Sequence, residues 1–180
     1  MTETTPSPLY SVADDEKVAA VMLYTAYAII WGEIVVKQVI RVSTWLRTNV
    51  APSKFVLFNA KMVLTTTAGS IQPVAFHEMV VPTSEVRAYH LIPPATDPVD
   101  YDVTEPNRIM LPVSVMIGSS RINGKIRITQ NSNMQKYLDV THESFTSIYD
   151  AEISNSLLPV LGTLKVPYLQ VRQETSIFAN

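Results

Sequence analysis

The chain has 180 residues and a mass of 20.0 kDa, with 47% hydrophobic residues, 17% charged residues and a formal net charge of −2. This composition is typical of a globular protein with a real core, and it gives no global basic field that would attract nucleic acid or anionic lipid. There are no cysteines, which excludes disulfides, thiolate metal sites and cysteine catalysis. A cytoplasmic location fits this composition best.

The N-terminal segment, residues 1–24, is predicted to be a loose acidic tail followed by a helix. Ser11 is a candidate N-cap, Asp14 and its acidic neighbours fall in the first turn, and valines follow at helical spacing. An uncharged run of 14 residues extends from Val18 to Trp31. A membrane-spanning helix needs about 20 apolar residues, so we interpret this run as the helix end followed by a buried strand, with no membrane association.

Residues 25–92 are predicted to form a first β repeat. In "GEIVVKQV", Ile34 and Val36 fall on one face, as in a half-buried strand. "KFVLFNAKMVLTTT" is rich in β-branched and aromatic residues, which favours a strand pair. Between these segments, "RVSTWLRT" predicts a short helical turn that Ser43 caps and Leu46 holds against the core.

Much of this repeat recurs further along the chain. "WGEIVVKQVIRVSTWL" aligns without a gap on "NGKIRITQNSNMQKYL", which places Gly32 over Gly124. "LFNAKM" then aligns on "IYDAEI", and "VVPTSEVRAYHLI" aligns on "KVPYLQVRQETSI" through a shared Val-Pro pair, after a deletion of six residues in a loop. Three blocks in the same order indicate an internal duplication. Both glycines are then expected in a turn or at a strand start, with Leu46 and Leu138 in the core.

The second β repeat is predicted to cover residues 108–180, after an extended linker at 93–107. The linker, "PPATDPVDYDVTEPN", has four prolines and four acidic residues, which disfavours both helix and central strand. "PVSVMIGSSRINGKIRI" is typical of a hairpin that turns at "GSS", and Ser132 or Asn133 is expected to cap a short helical turn. We therefore predict a mainly β protein, with two small β-sheet or open-barrel repeats related by a pseudo-two-fold axis and one N-terminal helix.

The segments "RVSTWL" and "FVLFNAKMV" resemble an uncharacterised family of small bacterial β domains. Members of that family carry an Arg-x-Ser-Asp-x-Leu segment followed by a Phe-x-x-Leu-x-x-Ala strand. Thr44 replaces the usual Asp, and the second repeat retains little of the segment. The matching positions are Arg41, Ser43, Leu46, Leu57 and Ala60. The resemblance implies a small Sm-like or SH3-like β fold, and it implies no particular activity.

No catalytic or metal-binding motif is evident in the sequence. His77, His90 and His142 are the only histidines, they form no His-Glu-x-x-His motif, and we expect them on the solvated surface. There is no Gly-x-Ser-x-Gly elbow, and five glycines leave little material for a phosphate-binding loop. We therefore expect no cofactor, no metal site and no enzymatic activity, with an unrecognised active site as the third choice.

The first repeat is more basic than the second, which allows two interpretations. A basic face could bind a nucleic-acid strand, with Trp45 available for stacking. The simpler interpretation is a solvated face whose cations partly offset the acidic linker, with Trp45 in the core. The candidate basic residues are Lys37, Arg41, Arg47, Lys54 and Lys61. The first predicted function is therefore non-enzymatic association with protein, as a homo-oligomer, and nucleic-acid binding through the basic face is the alternative.

Overall fold

Ten β-strands form the framework of the protein. The computed structural model describes residues 10–48, 50–65, 72–141 and 143–180. The strands are β1 (Glu16–Tyr24), β2 (Ala28–Lys37), β3 (Lys54–Leu64), β4 (Val74–Pro82), β5 (Ala88–Leu91), β6 (Arg108–Ile117), β7 (Ser120–Thr129), β8 (Phe145–Asn155), β9 (Leu164–Arg172) and β10 (Ile177–Ala179). They form one antiparallel sheet in the order β10-β6-β7-β8-β9-β5-β1-β2-β3-β4. The prediction of a mainly β protein is confirmed.

The predicted N-terminal helix is wrong, because residues 16–24 form strand β1. This strand lies inside the sheet between β2 and β5, and its Val21 and Leu23 side chains are completely buried. Asp14 and Asp15, which resemble the first turn of a helix in the sequence, form the turn that leads into the strand. Strand pairing on both sides outweighs the local helix signal here, and valines fit a strand well.

The uncharged run from Val18 to Trp31 contributes the end of β1, a turn and the start of β2. Its apolar character is explained by burial in the sheet, where Ala28, Ile29 and Ile30 are all buried. Within the described ranges, no helix has the length and apolar character that a membrane crossing requires.

The same strand order occurs twice in the sheet. The first half, β1–β5, is ordered β5-β1-β2-β3-β4, and the second half, β6–β10, is ordered β10-β6-β7-β8-β9. Strand β5 of the first half pairs with β9, the counterpart of β4, at Ala88↔Val171 and Tyr89↔Gln170. A two-fold axis would pair like edges, because each partner presents the same surface. The predicted pseudo-two-fold relation is therefore wrong, and the halves are joined head to tail.

A β-bulge occurs at the same place in both halves. The register shifts beside Gly32 in the β2–β3 pair and beside Gly124 in the β7–β8 pair. On the facing strands, Asn59 and Asp150 both have a φ of 49°. A Cβ on either glycine would lie less than 3 Å from a carbonyl oxygen of the facing strand. The two glycines occupy equivalent positions, but these lie inside strands and not in a turn or at a strand start.

The third block of the sequence alignment is displaced. Ala60 faces Phe76 across the β3–β4 pair, and Ala151 faces Val166 across the β8–β9 pair. The two alanines are counterparts, so Val166 corresponds to Phe76. The shared Val-Pro pair in the sequence suggested instead that Val166 corresponds to Val81. β4 and β9 then match over all nine residues of each strand, and no deletion of six residues is needed.

The connection between the second and third strands is helical in both halves. In the first half it is a 3₁₀ helix, Val42–Arg47, which has no side-chain cap, so Ser43 does not have the predicted role. It leads into β3, a single strand where the sequence suggested a pair. In the second half it is the α-helix α1 (Met134–Val140), and the Asn133 side chain accepts a hydrogen bond from the N–H three residues on, as predicted.

The side chains of these two helices are only partly equivalent. Trp45 and Tyr137 are partly buried, and each packs against the hydrophobic core on its own side. Leu46 is buried, whereas Leu138 is only half-buried and belongs to neither core cluster. The prediction that both leucines point into the core is therefore wrong for Leu138, because a 3₁₀ helix and an α-helix rotate successive side chains differently.

The apolar side chains form two hydrophobic cores, and each core takes residues from both halves. One core is centred on β6–β9 and also contains Tyr24, Ile29, Val63 and Ala88 of the first half. The other is centred on the first half and also contains Phe145 of β8. Neither half buries its apolar residues alone, which is consistent with the small size of each half.

We expect Gly124→Ala to destabilise the fold. The added Cβ would lie 2.6 Å from Ile148 Cγ2 and 2.7 Å from the Tyr149 carbonyl oxygen, so the bulge would have to shift. Overpacking of this kind lowers the free energy of unfolding by about 1–3 kcal/mol. Urea denaturation measures the effect, with Val160→Ala as the control because that side chain is 78% exposed. Equal stability of the two variants would contradict the close approach at Gly124.

Candidate functional site

Residues 93–107, which we call the acidic strap, lie against both halves of the protein. Asp97 Oδ2 accepts a hydrogen bond from the Ser43 backbone N–H at 2.9 Å. The Pro98 carbonyl oxygen accepts one from the Tyr168 hydroxyl at 2.9 Å. Since Ser43 belongs to the first half and Tyr168 to the second, the strap bridges the joint. It contains neither helix nor strand, as predicted, but it is a fixed part of the structure.

Asp100 of the strap lies at the centre of a polar cluster, with a side chain that is 7% exposed. Arg47 Nη1 donates to its Oδ2 at 2.5 Å, and Ser147 Oγ donates to the same oxygen at 2.7 Å. The Tyr149 hydroxyl donates to its Oδ1. Burial by itself would raise the pKa of Asp100, but the hydrogen bonds from Ser147 and Tyr149 and the charge of Arg47 outweigh it and hold the pKa below its ordinary value.

A polar cleft of about 370 Å³ opens beside this cluster, next to α1. Three guanidinium groups line it, and each has an acidic partner. Arg47 pairs with Glu143 at 2.5 Å, Arg108 pairs with Glu105 at 2.8 Å, and Arg127 pairs with the same Glu105 at 2.5 Å. The charges of the cleft therefore compensate one another, and an anionic ligand would have to displace existing ion pairs.

The chemistry available in the cleft is limited. Burial and the hydrogen bond to Asp100 raise the pKa of Tyr149, so this hydroxyl stays protonated and acts as a donor. Across residues 10–48, 50–65, 72–141 and 143–180, no group of three or more His, Asp or Glu side chains could hold a metal ion. The arrangement is that of a structural network in which Asp100 fixes the strap to β8 through Ser147 and Tyr149.

A second, apolar pocket of about 240 Å³ lies between the two halves. Met22 and Trp31 line it from the first half, and Leu164 lines it from the second. Near it, the Tyr24 hydroxyl and His90 Nε2 are 3.1 Å apart, and His90 Nδ1 is 2.7 Å from the Leu91 carbonyl oxygen. Because a carbonyl only accepts, Nδ1 carries the proton and Nε2 accepts from tyrosine.

His90 is buried, so its prediction as a solvated surface histidine is wrong. Its place in β5, between β1 and β9, removes it from water, and this burial lowers the pKa of His90 to about 4. His77 is exposed on β4, as expected, whereas His142 lies outside the described residues.

The structure uses three of the five candidate basic residues for contacts inside the protein. Lys37 forms salt bridges with two acidic residues at the start of β1, at 3.0 and 3.1 Å. Arg41 donates to the acidic strap and to the Tyr168 hydroxyl, and Arg47 is the cation of the Asp100 cluster. Lys54 and Lys61 are exposed on β3 and have no acidic partner within the described part of the chain.

The residues that build the polar cleft are not evident from the sequence. Arg108 and Arg127 lie in the second half, which the sequence predicts to be less basic, and Asp100 lies in a segment that has the composition of a linker. The one available signal was the series of acidic residues in 93–107 followed directly by Arg108. Asp100 is bonded to side chains that lie 47 to 53 positions away along the chain. No local sequence pattern indicates contacts over that separation.

The two outer strands, β4 and β10, pair on one side only among the described residues. β4 and its counterpart β9 occupy equivalent places in the two halves, and their exposure differs sharply. Phe76 and Val80 are 38% and 50% exposed, whereas their counterparts Val166 and Gln170 are 4% and 0% exposed. Pairing with β5 covers β9 at Gln170 and Val171, and Val166 lies in the core of the second half. Apolar residues along an unpaired strand edge are typical of a site that accepts another strand.

The β10 edge shows the same contrast with its counterpart β5. Ile177 faces Met116 across the β10–β6 pair, just as Ala88 faces Tyr24 across the β5–β1 pair. Ile177 is 70% exposed, whereas Ala88 is completely buried at the joint between the halves. The molecule therefore ends in two unlike edges, and each has a counterpart that is paired inside the chain.

Comparison of the chain with protein-family models, with curated proteins and with solved structures gave no match.

We expect Asp100→Asn to lower the free energy of unfolding by about 2 kcal/mol at neutral pH, because it weakens hydrogen bonds to a buried charge. The folded-state pKa lies below the ordinary value of 3.8. The contribution of Asp100 is therefore complete above that value and is lost as the pH falls through the folded-state pKa. Urea denaturation at a series of pH values should show the variant and the wild type converging in acid. Asp139→Asn, on the exposed face of α1, is the control, and an equal loss there would contradict the role of Asp100.

We expect His90 to make the stability depend on pH between about 6.5 and 4. Its folded-state pKa lies below the unfolded value of 6.5, so its contribution is complete above 6.5 and declines below it. The slope is roughly 1.4 kcal/mol per pH unit. His90→Gln should remove this slope in urea denaturation, whereas His77→Gln, at an exposed site, should retain it. A slope that survives in His90→Gln would overturn the assignment.

Proposed function

We propose that this protein works by association and not by catalysis, as a homo-oligomer held together at the free edges of its sheet. The observation that carries the proposal is the contrast between β4 and β9. The two strands occupy the same place in the strand order of their halves. β4 lies at the end of the sheet and is exposed, whereas β9 lies at the joint between the halves and is buried. A strand edge with exposed Phe76, Val80 and Val74 is an association site or an aggregation hazard unless another strand covers it.

The polar cleft supports this proposal because its charged groups bind one another. Arg47, Arg108 and Arg127 are all engaged by acidic residues, which is the pattern of a network that holds the strap in place. Nucleic-acid binding is the competing hypothesis. Of the five candidate basic residues, three are engaged in contacts inside the protein, so this hypothesis rests on Lys54 and Lys61 alone. Retention of single-stranded RNA on a filter at low salt, below ~100 μM protein, would favour that alternative.

We also propose that the two halves arose by tandem duplication of one small β-barrel domain. That domain is related to the bacterial family that "RVSTWL" and "FVLFNAKMV" resemble. The protein is further proposed to act in the cytoplasm. The repeated strand order, the bulges at Gly32 and Gly124, and the matching φ values of Asn59 and Asp150 support the duplication. A fused pair of domains commonly retains the contacts of an ancestral oligomer.

We expect Val80→Pro to dissociate the oligomer and leave the fold intact. Arg172, the counterpart of Pro82, donates its N–H to the Arg87 carbonyl across the internal joint. N–H groups alternate along a strand, so the Val80 N–H also faces the free edge of β4. Proline removes that donor without breaking a hydrogen bond to β3. Light scattering after size exclusion, at micromolar concentrations, should give a multiple of 20.0 kDa for the wild type and the single-chain mass for the variant.

Val80→Ala is the matched control for this experiment, because it shortens the side chain and keeps the N–H. It should retain most of the association. Circular dichroism should show the same β content in all three proteins. A wild type that remains monomeric over this concentration range, or a Val80→Pro variant that associates as the wild type does, would contradict the proposed function.

A further inference from the structure

We infer that β10 of one copy pairs with β4 of a second copy, in the register by which β5 pairs with β9 inside the chain. This inference rests on the proposed function and specifies its partner and geometry. The partner is a second copy of this chain, and the two contact surfaces are different. Each added copy then extends the sheet by ten strands and again presents one free β4 edge and one free β10 edge.

The internal joint provides the template for this contact. It pairs a β5-type edge with a β4-type edge, at Ala88↔Val171 and Tyr89↔Gln170. The edges left at the two ends of the sheet are again one of each type. A joint between unlike edges is heterologous, and such a joint can repeat from copy to copy.

The register of the contact between copies follows from counterpart residues. Ile177 is the counterpart of Ala88, because each faces the equivalent residue of the neighbouring strand. Val81 is the counterpart of Val171, since β4 and β9 match residue for residue. Ile177 of one copy is therefore expected opposite Val81 of the next, and Phe178 opposite Val80.

Burial at the two edges points to the same contact. Ile177 is 70% exposed where Ala88 is buried, and Val80 is 50% exposed where its counterpart is buried. A second copy paired at these edges would cover both side chains as the internal joint covers their counterparts.

The contact between copies lacks one feature of the internal joint. Arg172 donates its backbone N–H to Arg87, and its guanidinium group donates to the carbonyl oxygens of Val86 and Thr83. Pro82 occupies the place of Arg172 in β4 and offers neither donor. The association between copies is therefore expected to be weaker than the joint inside the chain, and to depend on concentration.

Disulfide trapping tests the inference cleanly, because the chain has no cysteines of its own. Val81 and Ile177 would face each other as a non-hydrogen-bonded pair. In the internal joint, the backbone hydrogen bond from Arg172 to Arg87 lies beside the corresponding pair, Val171 and Ala88. The Cα atoms of such a pair lie about 4.5 Å apart, which suits a disulfide. Val81→Cys and Ile177→Cys are made separately, mixed and mildly oxidised. The mixture should give a covalent dimer on a non-reducing gel, and each variant alone should give little.

The control is a mixture of His77→Cys with Ile177→Cys. His77 is exposed on the same strand, but it lies four residues from Val81, or about 13 Å along the strand. This mixture should cross-link at least tenfold less. The double variant Val81→Cys/Ile177→Cys should form covalent multimers, either a ladder from an open assembly or one closed species, and both patterns support the inference.

The outcomes separate this inference from the function on which it rests. If the wild type is oligomeric by light scattering but Val81→Cys cross-links to itself as readily as to Ile177→Cys, like edges pair and the inference is wrong. If the wild type is oligomeric and no cysteine pair cross-links, another surface is used and the inference again fails. If the wild type is monomeric throughout, the proposed function fails as well.

A gain-of-function variant provides a second, independent measurement. Pro82→Arg restores the backbone N–H and the guanidinium group that Arg172 supplies at the internal joint. In the next copy, the Ser176 carbonyl oxygen occupies the place of the Arg87 acceptor, because Ser176 precedes Ile177 as Arg87 precedes Ala88. The association constant measured by analytical ultracentrifugation should rise about tenfold. An unchanged or lower constant, with the fold intact by circular dichroism, would contradict the proposed register.

Discussion

The pairing of β5 with β9 is the interaction on which the rest of this structure depends. It joins two five-stranded halves into one sheet and covers the β9 edge. It also carries Ala88 into the hydrophobic core of the second half, while Phe145 of the second half enters the core of the first. Because each core takes residues from both halves, the joint contributes to the stability of both.

The acidic strap supports this joint from outside the sheet. A connection of 15 residues between the halves could have been a loose tether, and its prolines and acids are typical of one. Instead, Asp97 binds the first half, Asp100 binds Arg47 and β8, and Glu105 binds two arginines of the second half. The strap compensates the cations that would otherwise form a basic surface, which is why a count of charges along the sequence overstates the basic face.

Equivalent positions in the two halves have different environments because the joint between them is head to tail. A two-fold arrangement would have buried the same edge in both halves and closed the assembly at two. The head-to-tail joint buries the β9 edge and leaves the β4 edge open, so Val80 is exposed where Gln170 is buried. Aliphatic residues remain on the open edge, and Pro82 stands where Arg172 forms the internal contact, so the proposed pairing between copies would be weaker than the joint inside the chain.

Several local features follow from the sequence, because alternation of side chains and tight backbone positions leave a pattern that needs no partner. The alternation in β2 and β7, the Asn133 cap and the correspondence of Gly32 with Gly124 could all be inferred in this way. The remaining features depend on contacts between distant segments. Residues 16–24 became a strand because β2 and β5 supply hydrogen bonds on both sides, and β5 comes from a distant part of the chain. The Asp100 cluster likewise depends on contacts between residues far apart in sequence, whose energies no local pattern contains.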